Sequence, residues 1–139
     1  MNFEFTTQPD PTDIADLRAI LAAFNQKHFE TLERTEMALY AKEEGRLIGG
    51  INGVLFGNWL EVEYLAVAEN HRGNRIGEKL LHDLEQQAIS RGAKFSFIYT
   101  FGFQAKDFYK KYGYQEVLTL KEYPLTGTEH YLIKNLIME

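Results

Sequence analysis

The hydrophobic period of this chain changes abruptly near residue 70, and that change restricts its folds more than any other feature. Between Trp59 and Val67, Leu60, Val62 and Tyr64 alternate with Glu61, Glu63 and Leu65, the two-residue period of a strand. From Ile76 onward, Ile76, Leu80, Leu81, Leu84 and Ala88 form a helical stripe opposite Lys79, Asp83 and Gln86, and Arg91-Gly92 closes it. The chain therefore runs from a strand through a glycine-containing turn into a helix. A second apolar and aromatic run, Phe95 to Phe101, reads as a buried strand. Strand, helix and strand in that order predict a mixed α/β fold with a crossover connection.

The rest of the chain fills in around this unit. Phe3 and Phe5 alternate with polar neighbours as a short first strand, and Asp10-Pro11 marks a helix start. Ile14, Leu17, Leu21 and Phe24 follow at helical spacing, which predicts one buried helix face. Asn25 to Glu36 reads as irregular chain or a poorly formed second helix. Met37 to Lys42 and Arg46 to Phe56 form a hairpin across Glu43-Glu44-Gly45, and Gly57-Asn58 turns the chain into the Trp59 strand. Beyond Phe101, Ala105, Phe108, Tyr109 and Tyr112 repeat at helical spacing up to Gly113. Tyr114 to Leu120 and His130 to Ile137 finish as two strands joined across Pro124 and Gly127. The antiparallel first half and the crossover are expected to form a single domain, 1–139.

Composition excludes several functions. The 139 residues carry 15 basic and 20 acidic side chains, a net charge of −5, with the basic residues scattered. Nucleic-acid binding needs clustered Lys and Arg, so none is expected; a cationic small partner suits the acidity. Without cysteine the chain has no disulfide, thiolate metal site or cysteine nucleophile, and a reducing, cytoplasmic setting is expected. No run approaches the roughly 20 apolar residues of a membrane span. His28, His71, His82 and His130 have no carboxylate or cysteine partner at ligand spacing, so they read as surface or turn residues and no metal is expected. Ser90 and Ser96 lack the context of a serine nucleophile.

Chemistry concentrates in Leu65-Ala66-Val67-Ala68-Glu69-Asn70-His71-Arg72-Gly73-Asn74-Arg75-Ile76-Gly77. A strand that opens through a glycine turn into a helix exposes the helix's unpaired N–H groups and its positive dipole end, which together bind phosphate. Arg72 and Arg75 add charge. A plain strand–helix connection with two glycines would use the same residues. Only three residues separate Gly73 from Gly77, and Glu78 follows, so this is not a P-loop; the Gly-x-Gly-x-x-Gly order of a dinucleotide fingerprint is also missing.

The stretch resembles the GNAT superfamily of acetyl-CoA-dependent N-acetyltransferases, whose signature is Arg/Gln-x-x-Gly-x-Gly/Ala after a Leu-Ala-Val-like strand. Leu65-Ala66-Val67 is similar to the end of the family's fourth strand, and Arg72 to Gly77 to its pyrophosphate loop. Ala105-Lys106-Asp107-Phe108-Tyr109-Lys110-Lys111-Tyr112-Gly113-Tyr114 resembles a second half-signature, Ala-x-x-Phe-Tyr-x-x-x-Gly-Phe/Tyr. The resemblance covers nearly the whole chain and implies a sheet of about seven strands with flanking helices. Two departures stand out. Arg75 occupies the signature's first glycine, and Gly102 stands near an asparagine that holds pantetheine in many relatives, leaving Gln104 as the nearest amide.

By this resemblance, the backbone of Leu65, Ala66 and Val67 pairs with the pantetheine arm and polarises the thioester carbonyl. Arg72, Gly73, Asn74, Arg75, Ile76 and Gly77 hold the pyrophosphate, and Gln104 serves the arm. Tyr109 matches the acid for the departing thiolate, although its helical spacing also suits a core aromatic. The attacking amine must lose a proton, and Glu61 and Glu63, two apart on one strand face, are both candidates for the base. The expected activity is direct acetyl transfer, in a ternary complex, to a primary amine of a small molecule. The alternatives are a protein or peptide amine as acceptor, or a non-catalytic acetyl-CoA sensor. The C-terminal strands leave an apolar sheet edge suited to a homodimer.

Overall fold

In the computed structural model, residues 1–137 are described, and they divide into two compact units, one from Met1 to Leu32 and one that begins at Glu33. The first unit is built on one helix, α1 (Pro11–Asn25). Asp10 caps it by accepting from the Thr12 N–H at 2.7 Å, and Pro11 needs no partner for its missing N–H at the first helical position. Phe3 and Phe5 do not form the expected strand. A strand exists only through a neighbouring ladder, and two alternating residues are too few to secure one. The stripe of Ile14, Leu17, Leu21 and Phe24 also departs from expectation, since no residue of α1 is buried. A unit with one helix contains no second element to cover it.

The chain after Asn25 forms turns and irregular backbone, then enters the second unit's first strand three residues earlier than Met37. That unit is a six-stranded sheet in the order β1-β2-β3-β4-β6-β5. Its strands are β1 (Arg34–Glu43), β2 (Arg46–Phe56), β3 (Trp59–Val67), β4 (Phe95–Phe101), β5 (Gln115–Lys121) and β6 (Thr128–Asn135). The sheet has six strands rather than about seven because the Phe3–Phe5 segment adds none. β1, β2 and β3 form an antiparallel meander, and α2 (Ile76–Ile89) returns the chain so that β4 pairs parallel to β3. A six-residue helix, α3 (Lys106–Lys111), links β4 to β5, and β6 inserts antiparallel between them. Among the described residues no helix is long and apolar enough to cross a membrane.

The helical stripe of α2 does what its spacing predicts. Leu80, Leu81, Leu84 and Ala88 are buried against Ile51, Leu60, Val62, Ile98 and Leu132 of the sheet. Burying each large aliphatic side chain contributes roughly 1.5–3 kcal/mol, so this layer dominates the unit's stability. Polar groups are paired within it. The Tyr114 hydroxyl donates to Glu85 Oε2 at 2.8 Å and lies 2.7 Å from Ser96 Oγ, and Lys134 Nζ donates to Glu85 Oε1 at 2.8 Å. One sheet irregularity matters for the site. The β2–β3 register shifts between Asn52 and Gly53, so that Asn52 pairs with Tyr64 and Gly53 with Val62, leaving Glu63 as the extra residue of a bulge. Past it, Leu65 and Val67 pack on the core while Tyr64 is exposed, which corrects the uninterrupted alternation expected along this strand. β4 is not buried on both faces either: Ser96, Ile98 and Thr100 are buried, whereas Tyr99 is 50% exposed.

Candidate active site

The parallel seam between β3 and β4 is short, running from Trp59–Phe95 through Leu60–Ser96 to Glu61–Phe97. Beyond it the two strands share no ladder, so Val62 to Val67 have no β4 partner on the side turned from β2. A parted strand edge presents N–H and C=O groups to an extended ligand, as a sheet accepts an added strand. Leu65, Ala66 and Val67 lie along this edge. Arg72 Nε donates to the Val67 carbonyl at 3.2 Å and so ties the loop after β3 back to its end.

That loop takes the shape its glycines and Arg75 dictate. Gly73 has φ +87°, and Arg75 sits at φ +60°, ψ 23°, as the N-cap of α2 without a side-chain cap. Left-handed backbone costs a residue with a Cβ roughly 1–2 kcal/mol, which explains why glycine serves in the signature at the Arg75 position. The first-turn N–H groups of α2 are therefore not taken by a capping side chain. Arg72, Gly73, Arg75, Ile76 and Gly77 line a cavity of about 510 Å³ together with His71, Phe108 and Tyr112. A Cβ built on Gly77 would meet Phe108 Cζ at 3.5 Å, an ordinary contact, so glycine there keeps the cavity open rather than avoiding a clash. Asn74 donates from its side chain to the His71 carbonyl at 3.4 Å and braces the turn. Val67 borders this cavity and a second one, of about 490 Å³, on the β1–β3 sheet beside Tyr40, Asn52 and Tyr64.

Tyr109 is buried on α3, with its ring edge-on to Phe108 (centroids 5.3 Å apart) and Tyr114 (5.8 Å). Burial pushes its phenol up to about 12, so it carries its proton at neutral pH, the state an acid requires. Glu61 is half-buried at the last paired position of the seam, and Glu63 is exposed in the bulge next to the parted stretch. Gln104 is turned back onto β4. Its Oε1 accepts from the Phe101 N–H at 2.7 Å and from Thr100 Oγ1 at 3.0 Å, which leaves its amide N–H groups as the donors it can offer. Gly102 is required where it stands, because a Cβ there would run into Thr128 Oγ1 beside His130 Nε2.

His130 departs from its expected surface position. It is 5% exposed on β6, and its Nδ1 donates to Glu116 Oε1 at 2.5 Å while Nε2 accepts from Thr128 Oγ1 at 2.9 Å. Lys110, adjacent to Tyr109, is 2.9 Å from the other Glu116 oxygen. Bonds from Thr119, Lys110 and His130 hold the Glu116 carboxyl down at about 2. The cluster joins α3 to β5 and β6. No sequence spacing signals it, because its members come from three elements that meet only in the fold. Among the described residues no three acidic or histidine side chains converge as they would on a metal ion.

A mixed sheet whose parallel seam ends beside an amide-lined helix start, with a cavity there bordered by Phe108 and Tyr112 of the segment that carries Tyr109, suits a transferase holding an elongated anionic donor. Residues 3–114 match the Acetyltransferase (GNAT) family, and the chain belongs to that family of acyltransferase enzymes. It is 34% identical over 110 residues to a protein named blasticidin-S acetyltransferase from Streptomyces morookaense, covering 76% of this chain and 81% of that one. The crystal structure of an acetyltransferase from Bacillus cereus superposes at a TM-score of 0.86 with 26% identity, covering 95% of this chain and 97% of the other. An aminoglycoside 6'-N-acetyltransferase complexed with coenzyme A has the same fold at a TM-score of 0.67 and 19% identity, covering 100% and 99%.

Proposed function

We propose that the chain acts as one domain, 1–139, and transfers an acetyl group from acetyl-CoA to a primary amine of a small molecule. The observation that carries this reading is the end of the β3–β4 ladder at Glu61–Phe97, together with the cavity at the start of α2, which Phe108 and Tyr112 on either side of Tyr109 in the chain help to line. The blasticidin-S acetyltransferase relative, by its name, favours a small-molecule amine over a protein. Acetyl-CoA supplies the activated thioester. The residues of this chain then have separate tasks. The N–H groups from Arg72 to Gly77 and the guanidinium groups of Arg72 and Arg75 hold the pyrophosphate. Backbone groups of Leu65, Ala66 and Val67 align the pantetheine arm, and an N–H from this stretch polarises the thioester carbonyl. The amide N–H groups of Gln104 hold the arm from the β4 side. Glu61 or Glu63 takes the proton of the incoming amine, directly or through water, and Tyr109 gives its own to the departing sulfur. The amine attacks directly, since no serine or cysteine in the site invites an acyl-enzyme.

We infer a cytoplasmic setting, the reducing compartment in which a chain without cysteine is expected. A homodimer through β5 fits that strand's position at the end of the sheet with Val117 and Leu118 exposed, and light scattering at assay concentration measures it. The transfer reading is tested by calorimetry with acetyl-CoA, followed by free-thiol release with aminoglycosides, polyamines, amino acids and peptides. Binding with turnover on a small amine supports it. Binding with turnover only on peptides moves the acceptor to protein, and no binding removes the reading.

A further inference from the structure

The face of β4 opposite Ser96, Ile98 and Thr100 has no role in the steps above, yet it carries a continuous row of aromatic rings. Phe97 and Tyr99 both stack on Tyr131 of the neighbouring β6, with centroids 5.9 and 5.6 Å apart and planes within 28° and 27°. Phe101 continues the row and pairs across the ladder with Glu129. Glu129 is 4% exposed, and its Oε1 accepts from the Tyr131 hydroxyl at 2.6 Å. That bond, with burial, pushes the Tyr131 phenol up to about 12, so the hydroxyl stays a donor.

Two features of this row point to a ligand. The first is charge. Among the described residues no cation forms an ion pair with Glu129, whereas the other buried carboxylate, Glu85, is matched by Lys134. A buried carboxylate is costly unless a positive charge compensates it, so the wall is electrostatically incomplete. The second is placement. Phe97 is the last β4 residue paired to β3, opposite half-buried Glu61, so Tyr99 and Phe101 stand along the stretch where the strands have parted. Aromatic faces with a carboxylate behind them attract cations, and a flat conjugated group adds stacking that an aliphatic chain cannot.

We propose that Phe97, Tyr99, Phe101 and Tyr131, backed by Glu129, form the acceptor wall and select an amine that also carries a flat, conjugated cation such as an amidinium or guanidinium group. This rests on the acetyl-transfer reading and names the substrate class of that same site. The reactive amine then lies towards the gap and Glu61, with the second cation held against the rings.

The test uses the full chain, acetyl-CoA and three amines in a free-thiol assay: 4-(aminomethyl)benzamidine, benzylamine and 1,6-diaminohexane. The wild type is expected to favour the benzamidine in kcat/KM by about tenfold or more over either partial mimic. Glu129→Gln should raise KM for the benzamidine and the diamine but not for benzylamine. Tyr99→Leu should raise it for the benzamidine and benzylamine but not for the diamine. Unchanged acetyl-CoA affinity by calorimetry shows that each variant is folded. Equal effects on all three amines, or none, overturn the proposal. So does wild-type turnover on a peptide amine with none of the three. Failure to release CoA with any acceptor overturns instead the transfer reading beneath it.

Discussion

Replacing Tyr114 by Phe removes one hydroxyl from the contact between α2 and the sheet and leaves two buried groups short of a partner. Glu85, 3% exposed, loses the bond to Oε2, and Ser96, 0% exposed, loses its only side-chain neighbour in that network. A hydrogen bond to a charged group contributes about 1.5–3 kcal/mol, and a stranded buried hydroxyl costs about 1 kcal/mol more. The expected loss is therefore about 3 kcal/mol, near 10 °C in melting temperature for a chain of this length. Urea denaturation at neutral pH measures it, and a loss below about 1 kcal/mol would refute the network as a stabilising unit. The pH dependence gives an independent check. Burial, first, and the Glu85 charge raise the Tyr114 phenol well above its usual value of 10. The neutral form is thus the one the fold prefers, so this stability is fully present below pH 10 and is lost as pH rises beyond it. The Phe variant should show a shallower alkaline loss, since only the raised phenols of Tyr109 and Tyr131 then remain to titrate there. Its activity well below the melting temperature should stay near wild type, because the ring that braces Tyr109 is kept.

Four further outcomes follow from the geometry. Tyr109→Phe should lower kcat by about 10²-fold or more with acetyl-CoA affinity unchanged in calorimetry; unchanged turnover removes the acid role. Gly77→Leu should fill the cavity beside Phe108 and weaken acetyl-CoA binding by about tenfold or more, and equal affinity would undo the pyrophosphate assignment. Arg75→Ile and Arg75→Gly remove the same charge but differ in tolerance of φ +60°, so urea melts should show the Ile variant less stable by about 1–2 kcal/mol. The Glu116 carboxyl is held down to about 2 by Thr119, Lys110 and His130, so its stabilisation is present above its ordinary value of 4.5 and lost as pH falls towards 2. Glu116→Gln should flatten the acid limb of the stability profile over that window, and an unaltered limb would show the cluster carries no such stabilisation.

What could be read in advance was whatever depends on near neighbours in the chain. The bounds of β2, β3 and β4 and the start of α2 coincide with their expected positions, because strong periodicity between glycine turns leaves little choice. The turn from Arg72 to Gly77 into α2 was legible from its glycines, its reading as a pyrophosphate loop came from the family resemblance, and Arg75, in a glycine's place, is a left-handed residue. The failures share the opposite cause. Phe3 and Phe5 have the right pattern but no partner strand, and α1 has a stripe with no cover in its unit. One extra residue at Glu63 reverses the facing of Tyr64 and Leu65, and nothing in composition announces a bulge. The buried pair of His130 and Glu116, and the ring stack joining β4 to β6, unite residues far apart in sequence. They become visible only when the order β4-β6-β5 is known.

The brief seam from Trp59–Phe95 to Glu61–Phe97 makes the sheet resemble a book whose two covers share a narrow spine. Each cover, β1–β3 and β4–β6, is a long antiparallel ladder that resists bending, so deformation gathers at the spine. A ligand laid between the covers, as proposed above, would do mechanical work as well as chemical work. It would supply the missing rungs, set the opening angle, and fix how far the glutamates of one cover stand from the aromatic row of the other.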